Sequence, residues 1–147
     1  MARVLVVDDH AVIRRGVQSI LQPFPEWELC GEANSGQEAV RLAEALKPEI
    51  IIMDVSMPGL NGLEATRIIR ELLPTARILL LTLHSSAELV RSAFRAGARG
   101  YVLKSDAEHE LVRALNVIAG EGTYVSPGID GHLAQKAIVE ESQRAAV

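Results

Sequence analysis

Five residues of this chain have types and spacing that could do chemistry together: Asp8, Asp9, Asp54, Thr82 and Lys104. Each closes a short apolar run. Val4-Leu5-Val6-Val7 ends in the two adjacent acids, Ile50-Ile51-Ile52-Met53 in Asp54, Ile78 to Leu81 in Thr82, and Tyr101-Val102-Leu103 in Lys104. Taken singly, the acids read as turn or cap residues, Lys104 as a solvated charge and Thr82 as a β-branched strand residue. Taken together they suit phosphoryl transfer onto a carboxylate. Asp54 would be the nucleophile, forming an aspartyl phosphate. Asp8 and Asp9 would hold Mg²⁺, a hard cation that takes one or two carboxylates and leaves room for phosphate oxygens. Lys104 and Thr82 would neutralise and hydrogen-bond the equatorial oxygens of the transferring group. No Walker A loop and no Gly-x-Gly-x-x-Gly occurs, so the phosphoryl donor must come from outside the chain.

That chemistry requires elements that bring the five residues to one place. A run such as Ile50 to Met53, apolar on both faces, fits a strand buried on both sides. Helix-start signals lie between the runs. Ser35 with Glu38, Asn61 with Glu64, Ser85 with Glu88 and Ser105 with Glu108 all have capping-box spacing. Helical stripes follow each: Ala39, Val40, Ala43 and Leu46; Ala65, Ile69, Leu72 and Leu73; Leu89, Val90, Ala93 and Phe94; Leu111, Leu115 and Ile118. A first helix carries Ile13, Val17, Ile20 and Leu21 and is ended by Pro23 and Pro25. Trp27 to Ala33, with a mixed pattern, supplies the second strand.

Strand and helix thus alternate five times. Parallel strands need crossovers, and crossovers are right-handed. The expected fold is an α/β three-layer sandwich of flavodoxin-like type, with a five-stranded parallel sheet of order 2-1-3-4-5 and five helices. In that order the first and third strands are neighbours, ~4.8 Å apart, so three carboxylates crowd one pocket. Each pair repels by roughly 1 kcal/mol even in water, and a divalent cation relieves the repulsion. Thr82 and Lys104 reach the same edge from the fourth and fifth strands.

Composition narrows the rest. With 147 residues, 48% hydrophobic and 23% charged, the chain is long and apolar enough to bury a core. Residues 1–122 are expected to form the compact domain. Residues 123–147 are expected to be a linker helix or tail with a sparse stripe of Ile129, Leu133 and Ala137. A net charge of −4 offers no basic footprint for nucleic acid. The single cysteine, Cys30, excludes an intrachain disulfide, fits a reducing cytoplasm and reads as a small buried hydrophobe. Met1-Ala2-Arg3-Val4 runs straight into a strand with no signal-peptide pattern, and no apolar run has the length of a membrane span. A cytoplasmic protein without membrane contact is expected.

Asp8-Asp9, Asp54 with Met57-Pro58-Gly59, Thr82, Tyr101 and Lys104, in this order and spacing, resemble the receiver domain of bacterial two-component response regulators. Val7-Asp8-Asp9-His10, Leu81-Thr82-Leu83-His84 and Ala96 to Ser105 are similar to its NarL/FixJ-type subgroup in particular. The resemblance implies that a sensor histidine kinase donates the phosphoryl group to Asp54 and that the Ser56 backbone carbonyl is a further metal ligand. It implies a switch pair: Thr82 moves to the phosphoryl group, and Tyr101 turns inward to fill the space vacated. The face of helix four, strand five and helix five would then change shape, with a homodimer through that face as one outcome. Ser105 stands where many receivers have proline after the lysine, so a trans peptide is expected there. Leu83 is bulkier than the usual small residue, and with Ser56 and His84 it flanks the opening; these three are expected to set the lifetime of the phosphorylated state. His10 and His84 are expected to be surface polar groups and not ligands.

Members of that subgroup usually continue into a LuxR-type helix-turn-helix domain that binds DNA, which these 147 residues do not contain. Two readings stay open: a receiver that leads to an output domain controlling transcription, or a stand-alone receiver acting by partner binding. A phosphatase with an aspartyl nucleophile and Mg²⁺ is a rival, but such enzymes carry a second Asp two residues after the first, where this chain has Ser56. A pseudo-receiver would have lost an acid, the threonine or the lysine. A flavin carrier fits poorly with 3% aromatic residues and no phosphate-cradling loop after the first strand.

Overall fold

The computed structural model describes residues 2–84 and 86–127. Strands and helices alternate as β1 (Ala2–Val7), α1 (Ala11–Leu21), β2 (Trp27–Ala33), α2 (Gly36–Leu46), β3 (Ile50–Asp54), α3 (Gly62–Leu72), β4 (Arg77–Thr82), α4 (Ala87–Ala96), β5 (Gly100–Leu103), α5 (Ala107–Ala119) and β6 (Tyr124–Val125). A 3-10 turn, Lys104–Asp106, joins β5 to α5. All pairings are parallel, in the order β2-β1-β3-β4-β5-β6. The flavodoxin-like order is the expected one. The strand count is not: the sheet has six strands, because Tyr124–Val125, in the stretch expected to be linker or tail beyond residue 122, pairs with β5 through Gly100 and Tyr101. Two residues are too few to carry a strand periodicity, so nothing in the pattern marked them.

Strand alternation divides the core between the two faces. Leu5, Val7, Ile51, Met53, Ile78 and Leu80 pack under α2, α3 and α4. Val4, Val6, Ile50, Ile52, Leu79 and Leu81 pack under α1 and α5, against Val17, Leu21, Leu111, Leu115 and Ile118. Burial on both faces is what a parallel sheet requires, and it leaves the strand ends as the place where polar groups can gather. Among the described residues, no helix is long and apolar enough to cross a membrane.

The helix starts agree with the capping signals in part. Asn61 and Glu64 form the complete reciprocal box. Ser35 caps the Glu38 amide as expected, but the Glu38 carboxylate accepts from the Asn34 N–H (3.0 Å) instead of returning to Ser35. α4 is capped by Ser86, which accepts from the Leu89 N–H, one residue later than the box expected at Ser85; Ser85 itself lies outside the described residues. α5 starts at Ala107 with Asp106 as N-cap and no side-chain capping hydrogen bond. Ser105 lies inside the 3-10 turn, so it lacks the extended backbone that capping needs. The stripe expected at Ile129, Leu133 and Ala137 lies outside the described residues. Cys30 is half-buried, at an irregularity where the β1–β2 register slips between Val4 and Leu5, and burial raises its thiol pKa.

One glycine bears on the site. α3 begins against the backbone that leaves β3, with the Gly62 N–H donating to the Val55 carbonyl at 2.9 Å. A Cβ on Gly62 would stand 2.1 Å from the Asp54 carbonyl oxygen, a distance no side chain tolerates.

Candidate functional site

β1 and β3 are hydrogen-bonded neighbours, with Val7 opposite Met53. The residues that follow, Asp8 and Asp54, therefore leave the sheet side by side, and both are buried. The Lys104 ammonium enters from the end of β5. Its Nζ lies 3.0 Å from Asp8 Oδ2 and 3.3 Å from Asp54 Oδ1, with the lysine side chain only 11% exposed. One cation thus serves two carboxylates, and a third acid, Asp9, stands beside them.

Burial, and then the neighbouring Asp8 charge, push the Asp54 pKa up against the opposing pull of Lys104. Burial alone would lower the lysine pKa, but hydrogen bonding and charge from Asp8 and Asp54 outweigh it, and the net shift is upward. The cluster keeps a firmly charged lysine and more negative charge than that lysine can neutralise.

The donor set fits a hard divalent cation. One atom each from Asp8, Asp9, Asp54 and His10 can be chosen so that all lie within 4.8 Å of one another. Asp8 Oδ2 and Asp9 Oδ1 are buried and accept no regular hydrogen bond among the described residues, although each has a cationic or imidazole nitrogen near it. Three carboxylates gathered around one ammonium leave negative charge that a hard divalent cation would neutralise. His10 is a neighbour that spacing alone did not assign. Its backbone N–H donates to Asp8 Oδ1 (2.8 Å), and its ring Nδ1 lies 3.2 Å from Asp8 Oδ1 and 3.1 Å from Asp9 Oδ1. The imidazole is 67% exposed, a surface group at the rim of the acids.

Ser56, on the loop after β3, donates its N–H to Asp54 Oδ1 at 3.3 Å and is exposed. A small open pocket of ≈ 90 Å³ is lined by His10, Asp54, Ser56, Leu83, His84 and Lys104. Leu83 is 75% exposed at its mouth.

On the other half of the edge, Thr82 is buried and its Oγ1 accepts from the His84 N–H at 3.1 Å. Tyr101 is fully buried, and its hydroxyl donates to the His84 carbonyl at 2.9 Å. Burial, opposed by a hydrogen bond with Thr82, pushes the phenol pKa up to about 12. The two residues expected to form a switch pair are therefore tied to the same residue, His84, through its backbone. No cis peptide occurs among the described residues, so Lys104–Ser105 is trans, as expected.

The sheet edge thus carries two chemistries, an acid cluster bridged by lysine and a hydroxyl–phenol pair on one loop. Comparison with known proteins agrees with the resemblance read from the motifs. Residues 4–116 match the response regulator receiver domain. Relatives include the transcriptional regulatory protein MctR of Rhizobium johnstonii, 35% identical over 95% of this chain and 65% of that protein. The response regulator GacA of Pseudomonas aeruginosa is 36% identical over 92% of this chain and 64% of its own length. This chain therefore spans just under two thirds of those two relatives. A crystal structure of a two-component response regulator of the LuxR family from Aurantimonas sp. SI85-9A1 superposes with a TM-score of 0.85 at 38% identity, covering 97% of this chain and 98% of that one. With its acids, threonine, tyrosine and lysine at one end of the parallel sheet and that match along most of its length, the chain belongs to the response regulator receiver domain family.

Proposed function

We propose that this receiver accepts a phosphoryl group on Asp54 from a sensor histidine kinase and passes the signal to an output domain that controls transcription. The observation that carries the reading is the single lysine held between Asp8 and Asp54, with the Asp9 carboxylate close beside them. An Asp54 oxygen attacks phosphorus, the P–N bond of the donor phosphohistidine breaks, and its electron pair returns to the imidazole, which takes up a proton. Lys104 gives up one of its two carboxylate partners for a phosphoryl oxygen, and Thr82 turns its hydroxyl from the His84 N–H to another. Asp8, Asp9, Asp54 and the Ser56 backbone carbonyl would hold Mg²⁺, which when bound neutralises charge shared by the carboxylate and the phosphoryl group. The chain thus promotes its own phosphorylation and hydrolysis and acts on no separate substrate.

Tyr101 already lies inward, and its hydroxyl hangs on the loop that Thr82 would disturb. Phosphorylation then shifts a two-state equilibrium of that loop and of the α4–β5–α5 face, through which a homodimer would form. The greater length of the relatives supports residues 123–147 as the lead into an output domain, with DNA bound only there, in the cytoplasm. A stand-alone receiver is the alternative. A phosphatase is disfavoured by Ser56, which takes the place of a second acid.

The test is intact mass after incubation with Mg²⁺ and acetyl phosphate. The expected result is a gain of ~80 Da, absent in Asp54→Ala and without Mg²⁺. A folded, Mg²⁺-binding wild-type protein that gains no mass from acetyl phosphate or from any histidine kinase would overturn the reading.

A further inference from the structure

β6 is attached to the strand that carries both Tyr101 and Lys104. The Tyr124 N–H donates to the Arg99 carbonyl and the Ser126 N–H to the Tyr101 carbonyl, each at 3.0 Å. The Ser126 hydroxyl oxygen then accepts the Leu103 N–H at 3.1 Å, in a buried setting, and Ser126 is only 1% exposed. Leu103 is the residue before Lys104. Its amide faces the residue just past the end of the two-residue strand β6, and the Ser126 side chain supplies the acceptor there. Beside it, the Tyr124 hydroxyl donates to the Glu110 carboxylate of α5, and burial, followed by that bond and the Glu110 charge, raises the phenol pKa. Val125 packs on one core and Tyr124 on the other.

We infer that Ser126 is a positioning residue for the phosphoacceptor site, pinning the β5 backbone at Tyr101 and at Leu103, the residue before Lys104. The inference rests on the phosphoacceptor reading above and extends it. Lys104 must shift its ammonium from an aspartate to a phosphoryl oxygen, and the strand end from which it reaches is pinned by Ser126. A buried N–H that loses its acceptor is expensive, so the Leu103 amide and the Ser126 hydroxyl hold each other as long as β6 stays docked. By linkage, if docked β6 favours binding of a phosphoryl group or its mimic, that binding favours docking of β6 by the same factor.

Two measurements on the full chain test this. The first needs no variant: hydrogen exchange at the Leu103, Tyr124 and Ser126 amides, with Mg²⁺ alone and with Mg²⁺ plus beryllofluoride as a phosphoryl mimic. Protection should change roughly five- to tenfold, the weight of one buried hydrogen bond. The second compares Ser126→Ala and Ser126→Thr with wild type for Mg²⁺ affinity and for the rate of phosphorylation by acetyl phosphate. The alanine variant should slow phosphorylation by roughly fivefold with Mg²⁺ affinity unchanged, because the metal-holding acids lie on β1 and β3, and threonine should restore the rate. Unchanged protection, or equal loss of rate and Mg²⁺ affinity without rescue by threonine, overturns the inference while the phosphoacceptor reading stands. A wild type that takes up neither beryllofluoride nor phosphate overturns both.

Discussion

The two halves of the sheet's C-terminal edge are built from different chemistry. On β1 and β3 it is charge: Asp8, Asp9 and Asp54 converge, and one lysine is shared between two of them. On β4 and β5 it is neutral: the Thr82 hydroxyl and the Tyr101 phenol are each satisfied by one backbone group of His84. The difference is energetic. Charges taken out of water interact strongly and cost several kcal/mol when left uncompensated, so the first half is committed to binding something of complementary charge. Neutral hydrogen bonds contribute only about 1 kcal/mol each, so the second half can exchange partners cheaply. Lys104 joins them, because it ends the neutral half's strand and places its charge in the acid half. In the proposed function, this division lets one half capture the phosphoryl group while the other responds without threatening the fold.

Breaking the charged half should have the largest effects. Asp54→Ala should abolish phosphoryl uptake while the protein stays folded, as read by intact mass alongside circular dichroism. Lys104→Met removes the one cation from a buried pair of acids, and chemical denaturation should show about 3 kcal/mol of lost stability without metal. Saturating Mg²⁺ should recover much of that loss, since it supplies the missing positive charge.

Asp54→Asn sharpens the same point in the opposite direction. The Asp54 pKa is raised by burial and by Asp8, so its ionised form is less favourable in the folded than in the unfolded chain. Removing that charge should stabilise the metal-free protein by about 1 kcal/mol near neutral pH. The sign fixes the pH dependence. The penalty is fully present above the raised folded-state pKa, shrinks as the pH falls through it, and is gone below the ordinary carboxylate value. Denaturation curves of wild type and Asp54→Asn should therefore converge on acidification; curves that diverge would show that Lys104 dominates Asp54.

The neutral half should answer more weakly. Tyr101→Phe deletes one hydrogen bond to the His84 carbonyl, for about 1 kcal/mol, and should leave the initial phosphorylation rate near wild type while reducing the response of α4 measured by amide shifts. Leu83→Ala should change stability by less than ~0.5 kcal/mol, because Leu83 is exposed. Its effect belongs in the lifetime of the phosphorylated form, which we expect to shift several-fold as water reaches the pocket mouth. A lifetime unchanged in Leu83, Ser56 and His84 variants would remove those residues from that role.

Much of this was legible in the chain. Ile50 to Met53 is apolar on both faces, so its burial and the exit of Asp54 followed from pattern alone, and the strand order then placed Asp8 beside it. Trp27–Ala33 was correctly bounded despite its mixed pattern, because Pro25 and the cap at Ser35 enclose it. The misses share a cause. Ser105 has the right spacing for a cap, but the chain turns into a 3-10 turn straight after β5, the turn that also begins with the site lysine. β6 and Ser126 left no periodic signal, since one side-chain oxygen and two residues do the pairing. The tie of Thr82 and Tyr101 to His84 uses only the backbone of His84, which residue identity does not report.

The most direct measurement is chemical trapping of the acceptor. After brief phosphorylation with acetyl phosphate and Mg²⁺, borohydride reduces an acyl phosphate to the alcohol, and peptide mass spectrometry locates the resulting homoserine. The division of the sheet edge predicts that homoserine at position 54 and nowhere else. Reduction at Asp8 or Asp9, or phosphate retained on a serine, threonine or histidine, would contradict it.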